Sequence, residues 1–372
     1  MSAFIHSVGW IWLSLLGRPN QEIRNHLLDT FGSVEEIWMA GKKGVIPDCM
    51  AGQKGLKERF TDDGLRDRAM GIYERALALK LGICTPEDPG YPTVFGELCG
   101  MPTVMYYYGK MPGEINPAMR LLSIVGSRQC TAYGLGNAEW FSASLAQRGI
   151  GIVSGMARGI DGMAHQGALR VGGYTVAVLA GGVDVVYPKE HAYMYEQICA
   201  TGCVLSEHPP GTPPDRRFFP ARNRIISGLG EGTLVVEARK ESGAMITVSR
   251  GIEQNKTIYA IPGNIRVPTS MGCNDLIRQG CIPVTCPEDI LEDLGLGDGG
   301  RKASAYPKDL SDTERNILCA IEEGAVFPDT ISLRLGLPLG AIYAGLMLLE
   351  MKKLLGKNPS GAYYVKKFHF TE

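Results

Sequence analysis

Neither sign of charge prevails in this 372-residue chain. It carries 38 Lys and Arg against 39 Asp and Glu, a formal net charge of −1. That excludes a generally basic surface that would attract nucleic acid by itself, so any polyanion site must rest on local clustering. No apolar run is long enough to span a bilayer. The opening MSAFIHSVGWIWLSLLG has no basic leader, and His6, Ser7 and Ser14 interrupt it. An amphipathic helix is expected there rather than an export signal, with the cytoplasm as the compartment. The ten cysteines include no Cys-x-x-Cys pair. Cys199 and Cys203 have no second pair or suitably spaced histidine nearby, so no metal site is expected and reduced, buried thiols are. A Walker A loop and a G-x-S-x-G elbow are also missing. The G-x-G-x-x-G fingerprint fails twice. Ser127-Arg128-Gln129 follow Gly126, and Glu139 stands where Gly134-Leu135-Gly136 would need a third glycine.

What is present has a clear rhythm. Over residues 1–85 apolar side chains such as Leu13, Leu16, Ile23, Leu27, Val34 and Ile37 recur at helical spacing, predicting a small helical domain of SAM or helix-hairpin-helix type. A Pro-rich, aromatic entry segment with a strand at Val104–Tyr108 follows. From Leu121 short β-branched runs (LLSIVG, GIGIVSG, TVAVLAGG, CVLSE, GTLVVEA, KTIYAIPG, CIPVT) alternate with helical stretches. That alternation predicts an α/β fold over 86–294, an extended Rossmann-like doubly wound parallel sheet covered on both faces. Residues 295–308 are Gly-rich and charged, a linker. In 309–372, Ser311-Asp312-Thr313-Glu314 reads as a capping box. Helices over Thr330–Leu335 and Leu339–Leu354 and a hairpin follow, a winged-helix pattern.

Such sheets bind ligands at the carboxyl ends of their strands. Gly126, Ser127 and Arg128 follow one strand and precede a helix, where free backbone N–H groups, a hydroxyl and a guanidinium predict an anion cradle. Gly155, Arg158 and Gly159 repeat the arrangement, with Asp161 as a helix cap. His165, one turn on, has no nucleophile beside it and is expected to be structural. Ser242 and Gly243 open a third helix after a strand. The densest cluster is DRRFFPARNRIISGL, Asp215–Leu229. Arg216 and Arg217 precede Phe218 and Phe219. Adjacent rings on an extended segment point opposite ways, so one is expected to pack inward and the other to stand free. Arg222, Asn223 and Arg224 are expected to begin the next helix, capped by Asn223. A free ring beside guanidiniums suits single-stranded nucleic acid; an interface for an acidic partner is the other reading.

The motifs IVGSR (Ile124–Arg128), SGMARGIDGMAHQGAL (Ser154–Leu169), VLAGGVDVVYPKEH (Val178–His191), FPARNRIISGL (Phe219–Leu229), VVEARKESGAMIT (Val235–Thr247) and AIPGN (Ala260–Asn264) strongly resemble the DprA/Smf family of bacterial DNA-processing proteins. The resemblance implies a protein that binds single-stranded DNA, dimerises through its Rossmann-like domain and protects incoming strands in natural transformation. It also implies help in loading the recombinase RecA past single-stranded-DNA-binding protein, with no catalysis and no cofactor. It places Arg128 and Arg216 on phosphate and Phe219 under a base. Arg216 stands where the family often has lysine, so a planar fork replaces a point charge. In the winged helix, Lys352, Lys353, Lys357, Lys366 and Lys367 are expected phosphate contacts if it binds duplex. Its apolar recognition helix equally fits a protein partner.

Two enzymatic readings compete. The phosphoribohydrolases called lysine-decarboxylase-like share a G-G-x-G-T-x-x-E motif. Here Leu229-Gly230-Glu231-Gly232-Thr233 breaks its start and Glu237 falls one residue late. A nicotinamide-dependent oxidoreductase lacks its glycine fingerprint.

Overall fold

The computed structural model describes residues 2–17, 21–50, 55–96, 98, 100, 102–296, 310–322, 326–352, 354–357 and 362–365. They fall into two units, Met1–Leu296 and Gly297–Glu372. The expected linker, 295–308, lies almost wholly outside the described residues.

The first unit opens with α1 (Ser2–Leu15), α2 (Gln21–Phe31), α3 (Val34–Lys42), α4 (Leu56–Thr61) and α5 (Asp63–Ala78). Helix α1 is apolar around most of its girth and buries Trp10, Ile11, Trp12 and Leu13 completely, as a central helix must. Trp12 meets Trp38 edge to face at 5.4 Å. The Arg66 guanidinium stacks 5.2 Å from Trp12 and donates to the Phe60 carbonyl at 2.7 Å. This helical core runs on without a break into Val104, Tyr106, Ala177, Leu179 and Val204 of the sheet.

The sheet comprises β1 (Gly82–Cys84), β2 (Met105–Gly109), β3 (Leu121–Val125), β4 (Gly151–Ser154), β5 (Thr175–Val178), β6 (Cys203–Ser206), β7 (Gly232–Val235), β8 (Thr257–Ala260) and β9 (Ile282–Pro283). Its order is β1-β2-β6-β5-β4-β3-β7-β8-β9. The strands from β6 to β9 run parallel. At the β1 edge, β2 pairs antiparallel with both β6 and β1. Residues 82–84, read from the sequence as the end of the helical segment, are therefore an edge strand. Three residues carry too little periodicity to be seen.

Between the strands lie α6 (Pro112–Ile115), α7 (Ala132–Gln147), α8 (Ile160–Arg170), α9 (Ala192–Thr201), α10 (Phe218–Leu229), α11 (Gly243–Glu253), α12 (Met271–Arg278) and α13 (Pro287–Asp293). Every residue of β3 to β7 is buried, the mark of strands covered on both faces. Alternation in β3 sends Leu121 and Val125 toward Ile225 and Ile226 of α10. Leu122 and Ile124 face Ala138, Phe141 and Ala164 of α7 and α8. The order reverses at β3, whose neighbours are β4 and β7, so the switch-point crevice opens above the ends of β3 and β7.

The second unit holds α14 (Asp312–Glu322), α15 (Pro328–Leu335), α16 (Leu339–Met351) and the antiparallel pair β10 (Leu355–Lys357) and β11 (Tyr363–Val365). The capping box forms: Glu314 N donates to Ser311 Oγ at 3.3 Å, and Ser311 N to Glu314 Oε2 at 2.8 Å. Ile317, Ile321, Ile331, Ile342, Leu346 and Leu349 make the core. Helix α16 ends at Met351, short of the expected Leu354. Lys352 pairs with Glu314 at 2.9 Å, and Lys357 Nζ lies 5.1 Å from the centre of the Tyr363 ring. Lys353, Lys366 and Lys367 fall outside the described residues. Tyr343, Met347 and Met351 are exposed along α16. Among the described residues no single helix is long and apolar enough to cross a membrane.

Candidate nucleic-acid interface

Strands β4 and β5 end at Ser154 and Val178, and the carbonyls of Gly155, just past β4, and of Val178 need donors. Arg222 supplies them from α10. It is 3% exposed and donates through Nη1 to the Gly155 carbonyl at 2.9 Å and to that of Val178. The close approach explains Gly155, since a Cβ there would come 2.5 Å from Arg222 Nη2. Burial pulls the Arg222 guanidinium down to about 10, against the support of Asp161, which still leaves it charged at neutral pH. Asp161, 7% exposed, is raised above the usual carboxylate range by burial, with Arg222, the Ala157 backbone and Arg128 pulling the other way. A buried cation and a buried carboxyl thus form the floor of the rim.

Phe219 stands above that floor, half-buried. The guanidinium carbons of Arg222 and Arg128 lie 5.9 and 5.1 Å from the centre of its ring, within cation–π range. The ring of Tyr187 lies 5.8 Å away at 67°. Arg128, Arg216 and Tyr187 are exposed. The motif carrying Tyr187 is readable in the sequence, but nothing there places it beside Phe219. Phe218 stacks instead on His208, with centroids 4.1 Å apart.

Three sequence expectations are corrected here. Helix α10 begins at Phe218, with Arg217 as its N-cap, so the two rings are helical neighbours rather than extended ones. Pro220 sits in the first turn, where a missing N–H costs nothing. Asn223 is therefore not a cap. It lies in the second turn, and its Nδ2 donates to the Gly243 carbonyl at 3.4 Å. Arg222 faces inward and supports the ring rather than meeting solvent.

The predicted anion cradle at the start of α7 is already filled. Glu237, which follows β7, receives Thr131 N at 2.8 Å and Thr131 Oγ1 at 2.6 Å. Ser127 N donates to the Glu237 carbonyl at 2.7 Å, and Ser127 Oγ turns back on its own loop, donating to the Gln129 carbonyl at 2.9 Å. Arg128 of this loop faces solvent, with its guanidinium over Phe219.

The remaining candidates line the same rim. Gly126 follows β3. Gly159 caps α8 at φ 77°, where a Cβ would lie 2.4 Å from the Ser127 carbonyl oxygen. Arg158 is exposed and pairs with Glu190. Arg217 is tied to Asp215 at 2.9 Å and Arg224 to Glu207. Ser242 is the N-cap residue of α11, and its Oγ has no hydrogen-bond partner among the described residues. His165 is buried, with Nδ1 2.7 Å from Thr175 Oγ1. Burial drives it down to about 3, so it is a neutral structural residue, as expected. Chemically, the rim offers a ring that can stack on a base and guanidiniums that can take phosphate.

Comparison with known proteins places the chain in a family. The family model described as DNA recombination-mediator protein A matches residues 82–295, and that of the DprA winged helix domain matches 301–361. Protein Smf of Synechocystis sp. is 35% identical over 313 residues, covering 75% of this chain and 79% of its own. A putative DNA processing protein DprA of Mycobacterium tuberculosis is 32% identical over 363 residues, covering 93% and 91%. The X-ray structure of DNA processing protein A from Streptococcus pneumoniae superposes with a TM-score of 0.64 at 33% identity, over 75% of this chain and 94% of that one. The protein from Helicobacter pylori, described for its unique single-stranded DNA binding mode, superposes at 0.52 with 25% identity, over 57% and 95%. The chain belongs to the DNA recombination-mediator protein A family, known as DprA or Smf.

Proposed function

We propose that this protein binds single-stranded DNA along the rim of its sheet and acts on it without catalysis. The observation that carries the reading is the half-buried Phe219 ring set among Arg128, Arg222 and Tyr187. In this reading the ring stacks a base, and Arg128 and Arg216 take flanking phosphates. Arg158, Arg224, Asn223 and the starts of α8 and α11 (Gly155, Gly159, Ser242, Gly243) shape the groove, with Gly126 and Ser127 behind Arg128. Glu237, the carboxylate a phosphoribohydrolase would use, is instead held by Thr131, which supports a holding role.

The finer role follows the family. The protein shields incoming single strands in the cytoplasm and hands them to RecA, displacing single-stranded-DNA-binding protein. It works as a homodimer through the sheet domain. The proposed division of labour is a helical segment (1–85), a DNA-gripping sheet domain (86–294), a linker (295–308) and a winged helix (309–372). The exposed apolar row on α16 favours a protein contact over a duplex groove for the last. Titration of oligo-dT into the protein and its Phe219→Ala and Arg216→Ala variants tests the site. Unchanged affinity in both overturns it.

A further inference from the structure

Beside the rim, above the ends of β7 and β8, lies a cleft of about 560 Å³ lined by Thr131, Tyr133, Glu237, Pro262, Asn264 and Val267, among others. That volume falls in the range of small-molecule sites. The Gly126–Thr131 loop joins it to the Phe219 site, with Arg128 on one side and Thr131 in the cleft wall. Glu237 forms the floor and is 1% exposed. Its partners are neutral: Thr131 N, Thr131 Oγ1 and, at 3.4 Å, Thr269 Oγ1. A carboxylate has about four acceptor positions, so it can still accept hydrogen bonds. A buried carboxylate served only by neutral donors gains from any further N–H brought to it.

The walls narrow the ligand. The Tyr133 hydroxyl is anchored to the Pro262 carbonyl at 2.8 Å, which fixes its ring as one side. Pro262 and Val267 add apolar surface. A flat ring can therefore lie against this surface. Its edge toward Glu237 must carry adjacent donors. Among the nucleobases guanine does so, with N1–H beside the N2 amino group, matching the two oxygens of a carboxylate. Adenine and cytosine present a ring nitrogen acceptor at that point, and thymine flanks its one N–H with carbonyls, so a carboxylate repels all three.

We propose that this cleft binds a guanine base, either in a polynucleotide or as a free nucleotide. In the first case the proposal rests on the strand-binding reading above and gives the rim a base preference, the base being turned out of the strand to reach the carboxylate.

The test uses the full chain and two sets of ligands. Calorimetry with guanosine, adenosine, cytidine and uridine 5′-monophosphates reads the cleft alone. Titration of oligo-dT and of the same oligo-dT with one central dG reads it in the context of a strand. The guanine nucleotide should bind and the other three should not, or the dG oligomer should bind roughly tenfold tighter than oligo-dT, as one bidentate pair implies. Success with the nucleotide alone identifies a free ligand, and success with the oligomer identifies a base of the strand. Glu237→Gln should abolish the preference while leaving oligo-dT affinity unchanged. Should that variant unfold, Tyr133→Ala decides, because the Tyr133 ring is 52% exposed. Equal response to all four nucleotides together with equal affinity for the two oligomers overturns the guanine site, as does a full preference retained in Tyr133→Ala. Failure of oligo-dT itself to bind is a separate result and strikes the strand-binding reading instead.

Discussion

The Arg128 guanidinium lies 5.1 Å from the centre of the Phe219 ring. One residue belongs to the loop after β3 and the other to the first turn of α10, three crossovers apart in sequence. In the proposed reading their meeting joins a phosphate contact to a stacking platform, and it sets the terms of the first test. Phe219→Ala should weaken oligo-dT binding by about 1–3 kcal/mol for each base stacked, with no change in the salt dependence. Arg128→Ala should weaken binding and also lower the slope of log affinity against log salt by about 0.7. Fluorescence titration at several salt concentrations separates the two effects.

Arg222 and Arg216 should differ in kind. Arg222 is buried and satisfies the Gly155 and Val178 carbonyls. Arg222→Ala leaves those carbonyls without their donor and Asp161 without the nearby charge that favours its ionised form, and should cost about 3–5 kcal/mol in chemical denaturation. Arg216 is exposed, and Arg216→Ala should shift stability by no more than about 0.5 kcal/mol while reducing oligo-dT affinity. Equal losses of stability in the two variants would show that the floor of the rim has been misassigned.

Arg158 is held by Glu190, and both are exposed. Glu190→Gln releases the guanidinium and removes a negative charge from the rim. Binding of oligo-dT at low salt should tighten a few-fold, and the gain should vanish at high salt as screening takes over. A gain that persists at high salt would point to a change of shape rather than charge.

His165 sets a pH dependence. Burial lowers it from 6.5 to about 3 in the folded chain. Between those values the unfolded chain holds a proton that the folded chain refuses. Stability is therefore fully present above about pH 6.5 and falls as the solution is acidified toward pH 3, by at most about 1.4 kcal/mol per pH unit. Denaturation midpoints measured from pH 7 to 5 should fall in the wild type and change less in His165→Asn. A parallel decline in both would assign the acid sensitivity to other groups.

Much of this was legible in the sequence, for a physical reason. Strands β3 to β8 are short β-branched runs buried on both faces, and burial on both faces leaves a continuous apolar signature. The capping box Ser311–Glu314 is likewise local and formed as read. Phe219 and the flanking arginines stood out because charge and aromatic side chains sit together in the chain. What escaped depended on contacts between distant segments. Nothing near Thr131 announces that Glu237 will occupy the start of α7, so from the sequence alone the loop looks like an open anion cradle. Nothing near Tyr187 shows that it will stand beside Phe219. Helix α10 starts four residues before Arg222, the start the arginine cluster suggests, because Pro220 fits within its first turn.

The central claim is that the rim grips unpaired polynucleotide. Binding of a long oligo-dT to the intact protein, measured across a series of salt concentrations, tests it most directly. The account predicts tight binding at low salt that falls linearly on a double-logarithmic plot, with a slope of about 0.7 per phosphate contacted, and a marked loss in Phe219→Ala. No binding at low salt, or binding that ignores salt and survives the loss of Phe219, Arg128 and Arg216, would contradict it.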